Sequence, residues 1–294
     1  MFFRFLGTGL VLAVLIAVNP AWSVETGGGD IPSGTTVVFV AGEFPDTSIM
    51  MVDPAGGMPA GLADLKDGPD IQPAVGPSGQ LAWIRRNGDR WELMEDGRVI
   101  SGGDLHLSPA YKPDGALVAA VSGATDTSLY LFGEGGKTTT LLIRGNGIAV
   151  SPSFSPDGSR LVLVSDESGQ GRILLATAEG RPVADLTPAA QLSTDPVWSP
   201  TGEYIAFVAD ETDICLIRPD GTGLRRLTHD QGRNGRPGFS PDGRMIVFDS
   251  DRDGSRQLFV MDLDGSNQRP LLPGFSRPQS QPVWTKNKPA PVAD

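Results

Sequence analysis

Residues 236–272 read RPGFSPDGRMIVFDSDRDGSRQLFVMDLDGSNQRPLL. Pro237 is followed two residues later by Phe239 and four residues later by the turn Pro241-Asp242-Gly243. Proline presets the backbone for the second position of a turn, and glycine takes a positive φ at little cost. The apolar, β-branched run Ile246 to Phe248 then reads as a strand, and a polar loop leads to a second alternating strand, Leu258 to Met261. Asp264-Gly265 closes the pattern, because an acidic residue followed by glycine between two strands is a hairpin signal.

The same register recurs along the chain. Prolines stand at Pro73, Pro109, Pro152, Pro196, Pro237 and Pro282, with Val75, Tyr111, Phe154, Trp198, Phe239 and Trp284 two positions after them. Successive prolines lie 36 to 45 residues apart, and five of the six are followed by a second proline four positions on. A period in this range marks a repeat architecture. Glycine and proline fall at turn positions inside every unit, which excludes a helical solenoid. Four short antiparallel strands per unit make one propeller blade. The sixth copy, Gln281-Pro282-Val283-Trp284-Thr285, lacks following strands, and the missing ones stand at the other end, at Thr36 to Val40 and Ser48 to Val52. The expected fold is therefore all-β: a six-bladed β-propeller of four-stranded antiparallel blades, closed by N- and C-terminal strands sharing one blade. The expected layout is a signal peptide at 1–23, a flexible segment at 24–34, the propeller at 35–285 and a disordered proline-rich tail at 286–294.

The leader reading rests on a positive start at Met1 to Arg4, an apolar stretch from Leu10 to Val18, and the small residues Ala21 and Ser23 at a cleavage site. The stretch is too short for a membrane anchor, which takes about 20 apolar residues. The chain is expected to be periplasmic or secreted, with no stable membrane span after cleavage. Its formal net charge is −11, from 24 basic and 35 acidic residues. An acidic surface repels phosphate backbones, so nucleic acid is not an expected partner. The single cysteine, Cys215, forms no internal disulfide, so stability must come from the core.

With its F/W-S-P-D-G turns, its S-D-R-D-G loop at 250–254 and its D-x-D-G hairpin at 262–265, the chain resembles the TolB-like six-bladed propellers. The resemblance is strong over 150–284 and weaker but in register over 35–149. It implies a stand-alone propeller without the TolB N-terminal α/β domain. Propellers of this kind also occur in peptidases and polysaccharide lyases, so the fold does not choose a function.

Candidate sites follow from strand order. The innermost strand of each blade is expected to begin at the recurring proline, which places Gln72, Ser108, Ser151, Asp195, Arg236 and Gln281 around the mouth of the central channel. A concave polar funnel is the natural binding site of such a ring. The plain alternative is that these residues cap strand ends and hold water. His229 and Arg252 are added as partner-contacting residues on the same face. Asp249, Asp251 and Asp253 with Gly254 resemble the first half of a calcium loop, but position twelve is Val260, and Arg252 and Arg256 stand among the carboxylates. Calcium is the only cofactor considered; otherwise none is expected. His106 and His229 belong to opposite blades and are read as surface histidines. No nucleophile elbow or zinc-protease motif is present, so no catalytic residue is assigned.

The expected function is an exported, non-enzymatic binding propeller that recognises a protein or peptide partner in the cell envelope through its funnel-side loops. The alternatives are a metal-assisted polysaccharide lyase or hydrolase and a calcium-stabilised structural propeller.

Overall fold

The computed structural model describes residues 30–292 except 64–67, 103–104, 168–169, 189–190 and 230. The leader reading at 1–23 falls outside the described residues.

Twenty-four strands form six antiparallel four-stranded sheets. In chain order they are β1 (Thr36–Ala41), β2 (Ser48–Val52), β3 (Ala60–Ala63), β4 (Asp70–Val75), β5 (Leu81–Asn87), β6 (Arg90–Glu95), β7 (Arg98–Gly102), β8 (Leu105–Tyr111), β9 (Leu117–Ser122), β10 (Thr127–Phe132), β11 (Thr139–Ile143) and β12 (Ala149–Phe154). They continue with β13 (Arg160–Ser165), β14 (Arg172–Thr177), β15 (Pro182–Asp185), β16 (Ser193–Trp198), β17 (Ile205–Ala209), β18 (Asp213–Ile217), β19 (Arg225–Arg226), β20 (Asn234–Phe239), β21 (Met245–Ser250), β22 (Gln257–Asp262), β23 (Arg269–Pro270) and β24 (Gln279–Thr285). Counted from the first recurring proline, blades 1 to 5 are β4–β7, β8–β11, β12–β15, β16–β19 and β20–β23. Blade 6 has the order β24-β1-β2-β3, so the C-terminal strand pairs with the N-terminal one and the ring has no open seam. The expected architecture is the observed one.

The core is six clusters, each shared by two adjacent blades. One joins Val162, Ile173 and Leu175 of blade 3 to Trp198, Ile205 and Phe207 of blade 4. The residue two positions after each recurring proline always wedges against the preceding blade. Phe154 packs with Val118 and Leu129 of blade 2, Phe239 with Val208 and Leu216 of blade 4, and Trp284 with Met245 and Val247 of blade 5. Tyr111 and Val75 take the same place at the two remaining junctions. The repeat therefore encodes the inter-blade contact directly, and burying one such aromatic contributes several kcal/mol, on the order of 3–5 by truncation to alanine. Gly238 shows how closely the inner strands approach: a Cβ there would stand 3.3 Å from the Pro282 carbonyl oxygen.

Two expectations change. The inner strands begin three or four residues before the recurring proline rather than at it. The ladder persists because each of these strands carries a bulge there. In blade 3, Val150 pairs Val164 and Ser153 pairs Val162, so Ser151 and Pro152 together oppose Leu163. A bulge at the free edge of a sheet is where a strand tolerates proline, which has no N–H to give.

The second change concerns the termini. Residues 286–292, expected to be disordered, lie packed against the body. Asn287 Nδ2 donates to the Pro77 carbonyl at 2.9 Å, Val292 N donates to the Leu62 carbonyl at 2.8 Å, and the Val292 side chain joins the cluster between blades 6 and 1. Proline already restricts this stretch, so ordering it loses little backbone entropy. At the other end Ile31 packs on the cluster between blades 5 and 6, and Thr35 Oγ1 donates to the Pro32 carbonyl at 2.8 Å. The described part of 24–34 is thus docked. Among the described residues no helix is long and apolar enough to cross a membrane.

Candidate functional site: the central channel

All six pre-proline residues have a positive φ, between 47° at Arg236 and 56° at Gln281. For a residue with a Cβ this left-handed backbone is uncommon and costly, and proline in the next position restricts it further. Six strained positions in six equivalent places are a property of the design. The left-handed turn at the bulge directs these residues at the axis of the ring. Gln72, Ser108, Ser151, Asp195, Arg236 and Gln281, with their prolines, line one cavity of about 160 Å³. The six residues grouped from sequence line one cavity, from bulges within the inner strands rather than from strand starts.

Their chemistry is uneven around the ring. On one arc, each bulge N–H is capped from a neighbouring blade. Gln281 Oε1 accepts from Gln72 N, Gln72 Oε1 accepts from Ser108 N at 2.8 Å, and Asp249 Oδ2 accepts from Gln281 N at 2.9 Å. At the pre-proline position a glutamine side chain spans the gap between inner strands. At Ser151, Asp195 and Arg236 no side chain caps the bulge N–H among the described residues. Asp195 takes a hydrogen bond from Thr194 Oγ1 at 3.3 Å, and burial in the channel raises its carboxyl above the usual range, with Arg236 opposing that rise and Asp249 adding to it.

The acidic loop is not a gathered ligand set. Asp249 is fully buried, with Oδ2 3.4 Å from Arg236 Nη1 and Oδ1 bonded to Arg256. Asp251 Oδ1 accepts from Arg233 N at 2.7 Å, and its other oxygen lies 3.7 Å from Arg256. Asp253 is exposed. Among the described residues no three His, Cys, Asp or Glu side chains are grouped as metal ligands. Arg236 and Arg256, not Arg252, are the arginines that pair with these carboxylates.

Arg252 is committed elsewhere. Its guanidinium lies 4.5 Å from the Phe259 ring centroid and donates to Gln268 Oε1 at 2.8 Å and Asn234 Oδ1 at 2.9 Å. Stacked and hydrogen-bonded, it ties blade 5 together, and desolvation lowers its pKa. His229 is exposed, as expected. His106 is not a surface residue: it sits within β8, buried, with Nε2 2.9 Å from Ser101 Oγ and its ring against Phe132. A β8 that starts before the proline draws it into the sheet. Of the tryptophans, Trp83 is fully buried and donates to Asp70 Oδ1 at 2.7 Å, whereas Trp91 is half-buried beneath the Arg86 guanidinium.

Residues 33–288 match the TolB beta propeller domain. The chain belongs to that family. A protein named TolB homolog from Chlorobium luteolum is 42% identical over 81 residues, which is 26% of this chain and 18% of that protein. An uncharacterized peptidase, YuxL of Bacillus subtilis, is 31% identical over 112 residues, or 35% of this chain and 17% of that protein. The chain thus spans less than a fifth of the length of either relative. The crystal structure of TolB from Acinetobacter baumannii superposes with a TM-score of 0.75 at 20% identity, covering 87% of this chain and 67% of that one, and so shares its fold. Within this TolB-like propeller, the inter-blade capping of bulge N–H groups was not legible in the sequence. The one signal for it was that glutamine, the residue with the reach, recurs before Pro73 and Pro282.

Proposed function

We propose that this TolB-like propeller is an exported, non-enzymatic binding module that takes a peptide segment of a cell-envelope protein into its central channel. One observation carries the reading: six strained, non-glycine pre-proline residues converge on one cavity, and half of their bulge N–H groups are left without a side-chain cap. Strain of this kind persists where the surrounding structure holds it for a purpose. The rigid inter-blade wedges keep the ring from collapsing onto the channel, so the site is pre-formed and little ordering is lost on binding. Backbone donors beside polar side chains are the means by which extended peptides are recognised. The leader pattern read from residues 1–23 and the likeness to TolB relatives support a place outside the cytoplasm. Any whole-protein role of those relatives is a separate matter, since the chain covers only part of them.

The test is to display random short peptides against the mature propeller and map the bound ones by photo-crosslinking. Cross-links on Ser151, Asp195 and neighbouring inner-strand residues support the reading. Cross-links confined to the outer strands, such as β15 and β19, overturn it.

A further inference from the structure

Only two charged side chains line the channel among its described residues, Asp195 and Arg236. They are not equivalent. Arg236 pairs with Asp249 at 3.4 Å, and Asp249 also holds Arg256, which reaches Asp251 at 3.7 Å. Those four residues, two arginines and two aspartates, balance among themselves. Asp195 lies outside the balance: among the described residues it makes no ion pair, and the Thr194 hydroxyl is its one side-chain hydrogen bond. Arg236 offsets the burial of Asp195 only in part, because it is itself paired with Asp249, and the Asp195 carboxyl stays raised. An incoming positive charge relieves the remaining cost.

The walls beside it suit a particular kind of cation. Pro152 and Pro196 flank the Ser151–Asp195 arc and present apolar rings to the cavity. A lysine or arginine side chain lays its aliphatic stem on such surface and carries its charge beyond it. The Ser108 and Ser151 hydroxyls add acceptors for the remaining N–H groups of an ammonium or guanidinium head. On the opposite arc, Gln72 and Gln281 are already engaged with backbone N–H groups. The channel therefore has one receptive side.

We infer that the channel recognises a peptide through one inserted lysine or arginine side chain, received by Asp195 on the Ser151–Asp195 arc. This rests on the channel being the peptide site. Asp195 is faced by Arg236 and Asp249 from blade 5, by Thr194 on its own strand, and by uncharged Ser151 and Pro152 from blade 3. Protonation of Asp195 removes the attraction, so recognition weakens as pH falls, and it does so at milder acidity than for an ordinary carboxylate because burial raises this one.

The experiment uses the full mature chain, isotopically labelled, and four acetylated, amidated peptides, Gly-Ser-X-Ser-Gly with X as Arg, Lys, Gln or Glu. Backbone amide shifts of channel residues report binding, and each titration is repeated with D195N. The expected result is binding of the Arg and Lys peptides at least tenfold tighter than the Gln and Glu peptides, with the difference lost in D195N while its amide spectrum outside the channel stays unchanged. Equal binding of all four peptides at the channel overturns the cation inference and leaves the peptide reading standing. An unperturbed channel with every peptide overturns both. Because asparagine is nearly the same size as aspartate, a D195N variant that fails to fold would show that Asp195 holds the ring together, which also overturns the inference.

Discussion

Three residues separate two columns of this repeat that behave in opposite ways. The residue after each proline by two positions, as at Trp284, packs against the preceding blade and is apolar or aromatic in every copy. The residue just before the proline, as at Gln281, faces the channel and varies among Gln, Ser, Asp and Arg. One column is set by a shared packing problem; the other is free of it and, on the proposed reading, answers to the peptide the channel takes. The backbone treats them differently too: the bulge places the first of the pair in left-handed conformation and returns the strand to regular pairing before the second. Structural regularity and chemical variety thus sit within one turn of the same strand.

Truncation should separate the columns most clearly. W284A is expected to lose about 3–5 kcal/mol of stability by denaturant unfolding, since it opens a cavity between blades 5 and 6. Q281A removes one hydrogen bond to Gln72 N and is expected to cost only about 1 kcal/mol. Equal losses from the two would erase the distinction.

Asp249 is the point where scaffold and channel meet. D249A leaves Arg236 and Arg256 without their shared carboxylate and Gln281 N without its acceptor. A loss of about 2–3 kcal/mol is expected, because the hydrogen bonds of a buried carboxylate are lost and that of the Gln281 N–H goes unmade, while the partly exposed arginines return to water. D249N, which keeps an acceptor oxygen, should recover part of it in the same unfolding measurement.

The tail offers a smaller effect on the scaffold side. Ending the chain after Thr285 removes the Val292–Leu62 hydrogen bond and the Val292 contact between blades 6 and 1. A loss of about 1–3 kcal/mol is expected from the apolar area uncovered, with earlier amide exchange confined to β3 and its neighbours.

On the channel side, stability should respond to pH through Asp195. Its carboxyl holds its proton more tightly folded than unfolded. Stability contributed by this group is therefore present in acid and declines as pH rises from the ordinary carboxylate range through the raised folded value. D195N removes that decline, so thermal unfolding should show the variant more stable than the parent at neutral pH and indistinguishable from it in strong acid. A D195N variant less stable at neutral pH would mean that the channel carboxylate is already compensated.

The proline and aromatic register was enough to read the six blades, their closure and the inter-blade wedge, because those depend on local turn chemistry and on size at a fixed position. The channel residues were legible as a set, yet their placement within the strand was not. A bulge with left-handed backbone leaves no mark in composition, and non-glycine residues hide it. His106 was misplaced for the same reason, and Arg252 because its partners Asn234, Phe259 and Gln268 converge only through the sheet. The three aspartates of the 249–253 loop looked alike in sequence. Burial alone separates them, with Asp249 inside and Asp253 in solvent.

The central claim is that the receptive arc of the channel is the binding surface. Ser151 offers the cleanest probe, because Gln72 shows that glutamine fits this backbone, at φ 54° against 53° for Ser151. S151Q should fill the arc and reach toward the Asp195 N–H as Gln72 reaches Ser108. Measured on one peptide selected by the parent propeller, its affinity should fall at least tenfold while the unfolding midpoint is unchanged. Unaltered affinity in a folded S151Q variant would contradict the account.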